Sequence, residues 1–300
     1  MARRQPALQT PVDAFRLVHG AADGAPSGLA LDRYGDYLVL HAVAELDAAT
    51  VEAWALAAID LLAPRGLVAK RRHADPRRST SALFAGDPPP AALPIREGDA
   101  VLLCDLDDGL GTGLYLDLRD ERFALREVAA DREVLNLFAY TGAFSVHAAL
   151  GGAARVTSVD SSRRALRRAR ANMSASGVDP ERHRWFDDDV LAHLARARAR
   201  ADRYGVVVLD PPAFGRAGTR RMVLDRDFES MVAGAAELLA PGGVLVVATH
   251  SETIGTIRMR RAAQGLERLA ERGPAPWDHP PAAGPREAYL RVLVARRGSA

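Results

Sequence analysis

The stretch Val134-Leu-Asn-Leu-Phe-Ala-Tyr-Thr-Gly-Ala-Phe-Ser-Val-His-Ala-Ala-Leu150 decides the fold. It begins with an apolar run of strand length and ends with apolar side chains at helical spacing, and Gly142 lies between the two. In an open α/β sheet such a turn follows the first strand, at the edge where ligands bind. We expect Gly142 to let the backbone approach a bound nucleotide closely.

Apolar runs of strand length alternate with helical patterns through the rest of the C-terminal two-thirds of the chain. The runs cover residues 134–138, 156–159, 206–209 and 244–248. This alternation is typical of a parallel sheet whose two faces are covered by helices. It predicts an α/β domain over residues 106–300.

The first third of the chain has a different pattern. Short apolar or alternating runs at 15–19, 29–32 and 37–42 are separated by Gly, Asp and Pro, which indicates small antiparallel strands. Residues 48–62 carry a helical pattern that starts after Asp47. We therefore predict a loose N-terminal arm at 1–13 and a small α+β domain at 14–105.

Composition excludes several classes of protein. The net charge of +2, from 40 basic and 38 acidic residues, is too balanced to identify a nucleic-acid-binding protein by its total. The chain has no apolar run long enough to cross a membrane and no signal peptide, so we expect a soluble cytoplasmic protein. Cys104 is the one cysteine, which argues against disulfides and a cysteine-rich metal cluster, and no metal is predicted.

Asp160 ends the second strand of the α/β pattern, eighteen residues after Gly142. A carboxylate at about this interval can accept hydrogen bonds from ribose hydroxyls. The turn lacks the Gly-x-Gly-x-x-Gly pattern that cradles a pyrophosphate, so a nucleoside cofactor without phosphate fits better. Asp187-Asp-Asp189 could place a carboxylate near an adenine amino group or could simply cap a helix, and both interpretations stay open.

The segment Asp210-Pro-Pro-Ala-Phe214 follows another apolar strand. Two prolines fix φ and remove two backbone donors, so the loop is stiff and suited to holding a planar amine or base. A stiff turn without function is the alternative.

These motifs together resemble the class I S-adenosylmethionine-dependent methyltransferases of the large-subunit ribosomal RNA cytosine-5 family, and somewhat less the guanine-N7 enzymes of that subunit. The resemblance covers most of the chain through segments 22–36, 111–122, 136–142, 210–214, 278–280 and 289–290, with Asp160 and Asp189. It implies a Rossmann-like class I methyltransferase fold, with a mostly parallel seven-stranded sheet, preceded by a small α+β domain. It also implies S-adenosyl-L-methionine as cofactor, and the residues expected to bind it are Tyr115, Asp117, Phe138, Tyr140, Thr141, Gly142, Asp160, Ser161, Asp188 and Asp189.

The chain departs from this family in two ways. The roughly thirteen residues before the small domain are too few for the RNA-binding PUA domain that the family has there. Methylation of cytosine C5 needs a thiolate that adds at C6, and His250 occupies the place of that cysteine in Ala248-Thr-His-Ser251. Cys104 is predicted on a strand, as a buried inert thiol. A cytosine-5 mechanism is therefore not expected.

A nitrogen or oxygen acceptor needs no cysteine, so we predict in-line methyl transfer to such an atom of a nucleobase in RNA. Asp210, Pro211 and Pro212 would orient the acceptor, and Phe214 would stack on it. His250 would orient it or act as general base, or is only a core histidine. Residues 70–78 and the loop 215–221 would contact phosphates.

Two other functions stay open: a methyltransferase of a small specialised metabolite, and a non-catalytic protein that binds the cofactor or RNA. The sequence also leaves a homodimer open and predicts no membrane partner.

Overall fold

Residues 11–109, 111–212, 215–217, 220–273, 278–280 and 290–299 are described in the computed structural model of the chain. Side chains at 76, 215–217 and 220–222 lie outside that description. The chain divides into a first unit, Met1–Arg119 with Ala275–Glu287, and a second unit, Asp120–Pro274 with Ala288–Ala300. This division reflects compactness, so the functional boundary at 105 and 106 stays a prediction.

The first unit contains a five-stranded sheet, a two-stranded ribbon and one long helix. The sheet has the order β1-β2-β3-β4-β5 and the ribbon pairs β6 with β7. The strands are β1 Ala14–His19, β2 Leu29–Tyr34, β3 Tyr37–Val43, β4 Gly66–Arg72, β5 Thr80–Gly86, β6 Leu93–Glu97 and β7 Ala100–Cys104. Neighbours in the sheet are antiparallel except β3 and β4, which are parallel and are joined by helix α1, Ala48–Leu62.

Helix α1 has the bounds that the sequence predicts. The Asp47 carboxylate accepts a hydrogen bond from the Thr50 backbone N–H at 2.8 Å, which satisfies one of the free donors of the first turn. Val51, Ala55 and Ala58 are buried and belong to one apolar cluster with the strands of the sheet. Of the predicted loose arm, residues 1–10 lie outside the described part. Val12 bridges to Glu97, and the Asp13 N–H bonds to the Arg96 carbonyl at 2.9 Å, so residues 12 and 13 are held against β6.

The second unit contains a seven-stranded sheet with the order β10-β9-β8-β11-β14-β16-β15. The strands are β8 Glu133–Leu137, β9 Arg155–Asp160, β10 Arg184–Asp187, β11 Tyr204–Leu209, β14 Leu239–Thr249, β15 Glu267–Arg272 and β16 Arg291–Arg296, and β12 Gly215–Ala217 pairs with β13 Arg220–Met222 outside it. The helices are α2 Arg119–Ala129, α3 Ala143–Leu150, α4 Arg163–Ala175, α5 Val190–Ala199, α6 Leu224–Glu237 and α7 Thr256–Ala262. The first five strands are parallel, and β16 is antiparallel to its two neighbours.

The central strands form because their residues are apolar on both faces. Residues 206–209 of β11 are completely buried, and Val207 and Leu209 lie in one apolar cluster with Phe228 and Met231 of α6. The four strands predicted in this region are all present, which confirms the doubly wound α/β fold.

The order of the sheet fixes where a ligand can bind. The chain goes outward from β8 to β9 and β10, then returns to β11 on the other side of β8. Loops after β8 and β11 therefore diverge and leave a crevice at the carboxyl ends of these strands.

Among the described residues, no helix has the length and apolar character that a membrane crossing needs. That same part of the chain contains no group of three or more His, Cys, Asp or Glu side chains placed to hold a metal ion.

Candidate active site

The turn between β8 and α3 has an unusual backbone. Phe138 has φ 57°, Tyr140 has φ 50° and Gly142 has φ 76°. Positive φ in a bulky residue costs about 1–3 kcal/mol, and such strain persists only where the surroundings impose it. Here the Thr141 carbonyl accepts a hydrogen bond from Asn172 Nδ2 at 2.8 Å, and the Ala139 N–H bonds to the Val159 carbonyl at 3.0 Å. The fold thus holds two strained residues at the switch point of the sheet.

Gly142 is required for packing as well as for its φ. A Cβ at this position would lie 2.7 Å from the Ala169 Cβ and 3.2 Å from the Ala169 Cα on α4. A side chain at position 142 would therefore collide with helix α4. The sequence analysis expected glycine here for another reason, the close approach of a nucleotide. A contact between the turn and a cofactor stays a prediction.

Asp160 is fixed at the end of β9 by two backbone donors. Its Oδ2 accepts from the Tyr140 N–H and its Oδ1 from the Ser162 N–H, both at 2.8 Å. Burial raises the pKa of Asp160, and the hydrogen bonds from Ser162 and Tyr140 oppose that rise. The structure thus brings Asp160 together with the Tyr140 turn, as the sequence predicts. Ser161 follows and is exposed.

A buried network of hydrogen-bonded polar side chains, which no sequence motif indicated, joins the elements that carry this turn. Asn136 Nδ2 donates to Ser145 Oγ at 2.8 Å, and Ser145 Oγ lies 2.8 Å from Ser158 Oγ. These side chains link β8, α3 and β9, the three elements that carry the turn and Asp160. Buried networks of this kind fix one arrangement of the elements they join.

The three consecutive aspartates at the end of β10, Asp187 to Asp189, all have protein partners. Asp187 pairs with Arg163, and Asp188 pairs with Arg196 and lies 3.6 Å from His193 Nδ1. Asp189 caps α5, since its Oδ1 accepts from the Ala192 N–H at 2.8 Å. The capping interpretation left open for this run therefore holds for Asp189, and a cofactor contact by Asp188 or Asp189 stays a prediction.

The predicted acceptor residues follow two neighbouring strands. Asp210 follows β11, with Pro211 buried and Pro212 exposed, and His250 follows β14. Because β11 and β14 are parallel and adjacent, these residues lie at the carboxyl edge of the sheet, next to the loop after β8. Asp210 and His250 are both partly buried, and Phe214 lies outside the described residues.

Tyr115 and Asp117 belong to the first unit, before and within a short 3-10 turn at Leu116–Leu118. Tyr115 is 56% exposed. That they bind the cofactor stays a prediction.

Asp278 and His279, which the family resemblance includes, are buried in the first unit. The Asp278 carboxylate accepts from Arg119 Nη1 at 3.1 Å and lies 2.9 Å from His279 Nδ1. Arg16 donates to it through its backbone N–H at 3.3 Å and pairs with Asp32 through Nε at 2.7 Å. No sequence signal indicates this network, because its members lie far apart along the chain.

The prediction that residues 70–78 contact phosphates is wrong for Lys70. Lys70 is 1% exposed, and its ammonium group donates to the carbonyls of Gly109 and Gly111, so it cannot reach a phosphate. Burial lowers the pKa of Lys70 to about 8, although Asp107, Asp108 and Asp105 oppose this. Arg72, Arg77 and Arg78 are exposed, and their contact with phosphates stays a prediction. The side chains of 215–217 and 220–222 are not among those described.

Cys104 is at the end of β7 in the first unit and is fully buried, as predicted. A thiolate nucleophile must reach its substrate, so Cys104 cannot add to a base from this position.

A family model described as S-adenosylmethionine-dependent methyltransferase matches residues 40–291. The chain is also 38% identical, over 253 residues, to ribosomal RNA large subunit methyltransferase I of Klebsiella pneumoniae; the match covers 82% of this chain but only 62% of that protein. The enzyme of the same name from Erwinia tasmaniensis is 33% identical over 97% of this chain and 76% of its own.

Solved structures have the same fold. SMU.776, described as a methyltransferase and solved with S-adenosylhomocysteine, superposes with a TM-score of 0.86 at 26% identity over 97% of this chain and 77% of its own. A methyltransferase from Agrobacterium tumefaciens superposes with a TM-score of 0.72 at 20% identity, over 95% of this chain and 90% of its own, and so shows the fold alone.

Proposed function

Because the chain belongs to the S-adenosylmethionine-dependent methyltransferase family, we propose that it transfers a methyl group to a nitrogen or oxygen of a nucleobase in RNA, without a cysteine adduct. The family, the Rossmann-like fold and the cofactor predicted from the sequence are confirmed by the matches. The acceptor is a proposal, since the chain spans 62% of the length of its Klebsiella relative. Its relatives are named for ribosomal RNA, which supports an RNA acceptor and with it a cytoplasmic location.

The donor atoms at the switch point fit the cofactor. Each oxygen of the Asp160 carboxylate accepts one backbone N–H and keeps a further lone pair, which two ribose hydroxyls can use. Phe138, Tyr140, Thr141 and Gly142 would surround the rest of the nucleoside, together with the other cofactor-binding residues predicted from the sequence. The bound cofactor supplies a methyl group on a sulfonium centre, which is already a strong electrophile.

The acceptor side depends on one observation above all: His250 follows β14 where a C5 mechanism needs a cysteine, and the only cysteine is buried in the first unit. An acceptor with a lone pair needs positioning and, at most, the loss of one proton. The Asp210 carboxylate can accept a hydrogen bond from an amino or hydroxyl group of the base and so orient its lone pair. His250 would orient the acceptor or accept its proton as a general base.

Transfer of tritium from labelled S-adenosylmethionine tests this proposal. Purified protein is given total RNA or a small-molecule extract, with Asp210→Ala as the test variant and Asp179→Asn, which changes an exposed carboxylate before β10, as the control. We expect label in RNA with the wild type and the control and about a hundredfold less with Asp210→Ala, because a misplaced acceptor can lose about that factor in rate. Nuclease digestion and chromatography then identify the labelled base.

Three results would contradict the proposal. Label only in the extract would indicate a small-molecule methyltransferase. Cofactor binding without label in either pool would indicate a non-catalytic protein. Label on C5 of cytosine would refute the cysteine-free mechanism.

A further inference from the structure

The loop between β14 and α7, residues 251–255, begins directly after His250. Ser251 Oγ lies 2.8 Å from Thr253 Oγ1, and the Thr253 N–H donates to Ser251 Oγ at 3.2 Å. The Thr253 hydroxyl also bonds to the carboxylate of Asp225, which lies in the first turn of α6. We call this chain of hydrogen bonds the Asp225 network. It ties the loop after His250 to helix α6.

The direction of these hydrogen bonds is set at Asp225. An ionised carboxylate can only accept, so the Thr253 hydroxyl donates to it. Thr253 Oγ1 then accepts from the Ser251 hydroxyl, and Ser251 Oγ accepts from the Thr253 N–H. Each hydroxyl therefore donates once and accepts once within the Asp225 network. In such a chain each hydrogen bond polarises and strengthens the next.

Arg258 of α7 fixes the carboxylate end of the network. Its Nη1 donates to Asp225 Oδ1 at 2.9 Å, and its Nη2 donates to the Asp225 carbonyl. The same guanidinium bonds to both carboxylate oxygens of Glu229, at 2.6 and 3.0 Å, and lies 5.9 Å from the centre of the Phe228 ring. A bidentate pair of this kind has a well-defined geometry. Helices α6 and α7 are thus joined where they flank the loop.

Apolar packing and backbone hydrogen bonds anchor the same loop. Ile254 is fully buried and lies in one apolar cluster with Phe228. The Ser251 N–H bonds to Thr249 Oγ1 at 3.1 Å, and the Ser251 carbonyl accepts from Arg291 Nη1 at 3.2 Å. The chain is therefore held directly after position 250 as well as further along the loop.

The Asp225 network lies at the surface, since Asp225 and Thr253 are exposed. Exposed hydrogen bonds and ion pairs contribute little to the stability of a fold. They can nevertheless determine where a neighbouring side chain lies. A group that meets a reacting atom has to be held to within about 0.5 Å by the residues around it, and a misplacement of about 1 Å can cost a factor of about 100 in rate.

We propose that Thr253 and Asp225 are positioning residues for methyl transfer, which fix the loop after β14 so that His250 meets the acceptor atom in one orientation. This inference rests on the proposed function, in which His250 orients the acceptor or accepts its proton. It also connects the two acceptor segments, because the segment that begins at Asp210 ends where helix α6 and Asp225 begin the next element.

The test compares two substitutions at one position. Thr253→Val removes the hydroxyl and keeps the size of the side chain, whereas Thr253→Ser keeps the hydroxyl. The matched control, Thr50→Val, removes a threonine hydroxyl that bonds to Asp47 at 2.7 Å at the start of α1. The kcat for methyl transfer into a large-subunit ribosomal RNA transcript is measured with each protein, together with the Kd for S-adenosylmethionine and the Tm.

We expect Thr253→Val to lower kcat by about 10- to 100-fold, and Thr253→Ser and the control to keep the wild-type kcat. The Kd and the Tm should be the same in all four proteins, because the cofactor residues follow other strands and the network contributes little to the fold. An equal loss of kcat in Thr253→Ser would overturn the inference, and so would a loss that is accompanied by a lower Tm and a weaker Kd.

A second comparison tests whether Thr253 acts through His250. If it does, adding Thr253→Val to His250→Ala should lower kcat no further, because the side chain that the loop positions is already absent. Losses that multiply in the double variant would overturn the inference. A His250→Ala protein as fast as the wild type would also overturn it, while methyl transfer to RNA itself would stand.

These outcomes separate the inference from the proposed function. A wild-type kcat in Thr253→Val, with RNA as the acceptor, would overturn the inference and leave the proposed function intact. Label only in a small molecule would overturn the RNA assignment, and the same kcat values measured with that acceptor would then decide the inference. No transfer by the wild type to either acceptor would overturn both.

Discussion

Replacing Gly142 by alanine tests how the strained turn is held. The new Cβ would meet the Ala169 Cβ at 2.7 Å, and the residue would keep φ 76°. Left-handed φ costs an L-residue about 1–2 kcal/mol, and overpacking a tight contact costs about 1–3 kcal/mol. We expect Gly142→Ala to lower the free energy of unfolding by about 2–5 kcal/mol, measured by urea denaturation followed by circular dichroism.

Two further variants separate these contributions. Gly177 has φ 75°, and a Cβ added there would have nothing within 4 Å, so Gly177→Ala should cost only the backbone part, about 1–2 kcal/mol. Adding Ala169→Gly to Gly142→Ala should restore the free energy of unfolding that the Cβ collision removes. The intrinsic cost of glycine in a helix, about 1 kcal/mol, has to be subtracted before the two variants are compared. If Gly142→Ala costs no more than Gly177→Ala, the packing argument for Gly142 is wrong.

Three other predictions concern titratable groups. Burial alone would raise the pKa of Asp32, but Arg16 and His41 hold it well below its ordinary value. Asp32→Asn should lower the free energy of unfolding by about 3–5 kcal/mol at pH 7, and the difference between wild type and variant should shrink as pH falls below about 4. The pKa of Lys70 is lowered to about 8 in the folded protein, so between pH 8 and 10 its side chain is protonated in the unfolded chain but mostly neutral in the folded one. The free energy of unfolding, measured by urea titration, should therefore rise over this range more steeply in the wild type than in Lys70→Gln. The raised pKa of Asp160 should weaken cofactor affinity as pH falls, starting above the ordinary aspartate pKa of about 4, and Asp160→Asn should lack that pH dependence in calorimetry.

Elements with a buried apolar pattern could be predicted from the sequence, and edge strands could not. Helix α1 begins after Asp47, which caps it, and buries Val51, Ala55 and Ala58 at helical spacing, as its pattern predicts. Strand β10 is short, and three of its four residues are exposed, while β15 carries mostly exposed and charged residues. Such strands form by pairing with a neighbour, and their own residues carry no periodic signal.

The site was only partly predictable for a similar reason. Asp160 and the Tyr140 turn follow consecutive apolar strands, and strand order alone places them at one edge. The positive φ of Phe138 and Tyr140 carries no sequence signal, since residues other than glycine and asparagine rarely adopt it.

The central claim is that the switch point of the second unit binds S-adenosylmethionine through the Asp160 carboxylate. Calorimetric titration of S-adenosylmethionine into wild type, Asp160→Asn and Asp179→Asn tests it most directly, because Asp179 is also a carboxylate that accepts a backbone N–H, from Glu181 at 3.0 Å. Hydrogen bonds to a charged group contribute about 1.5–3 kcal/mol, so Kd should rise by about 10- to 150-fold in Asp160→Asn and stay unchanged in the control. Equal affinity in all three proteins would contradict the account.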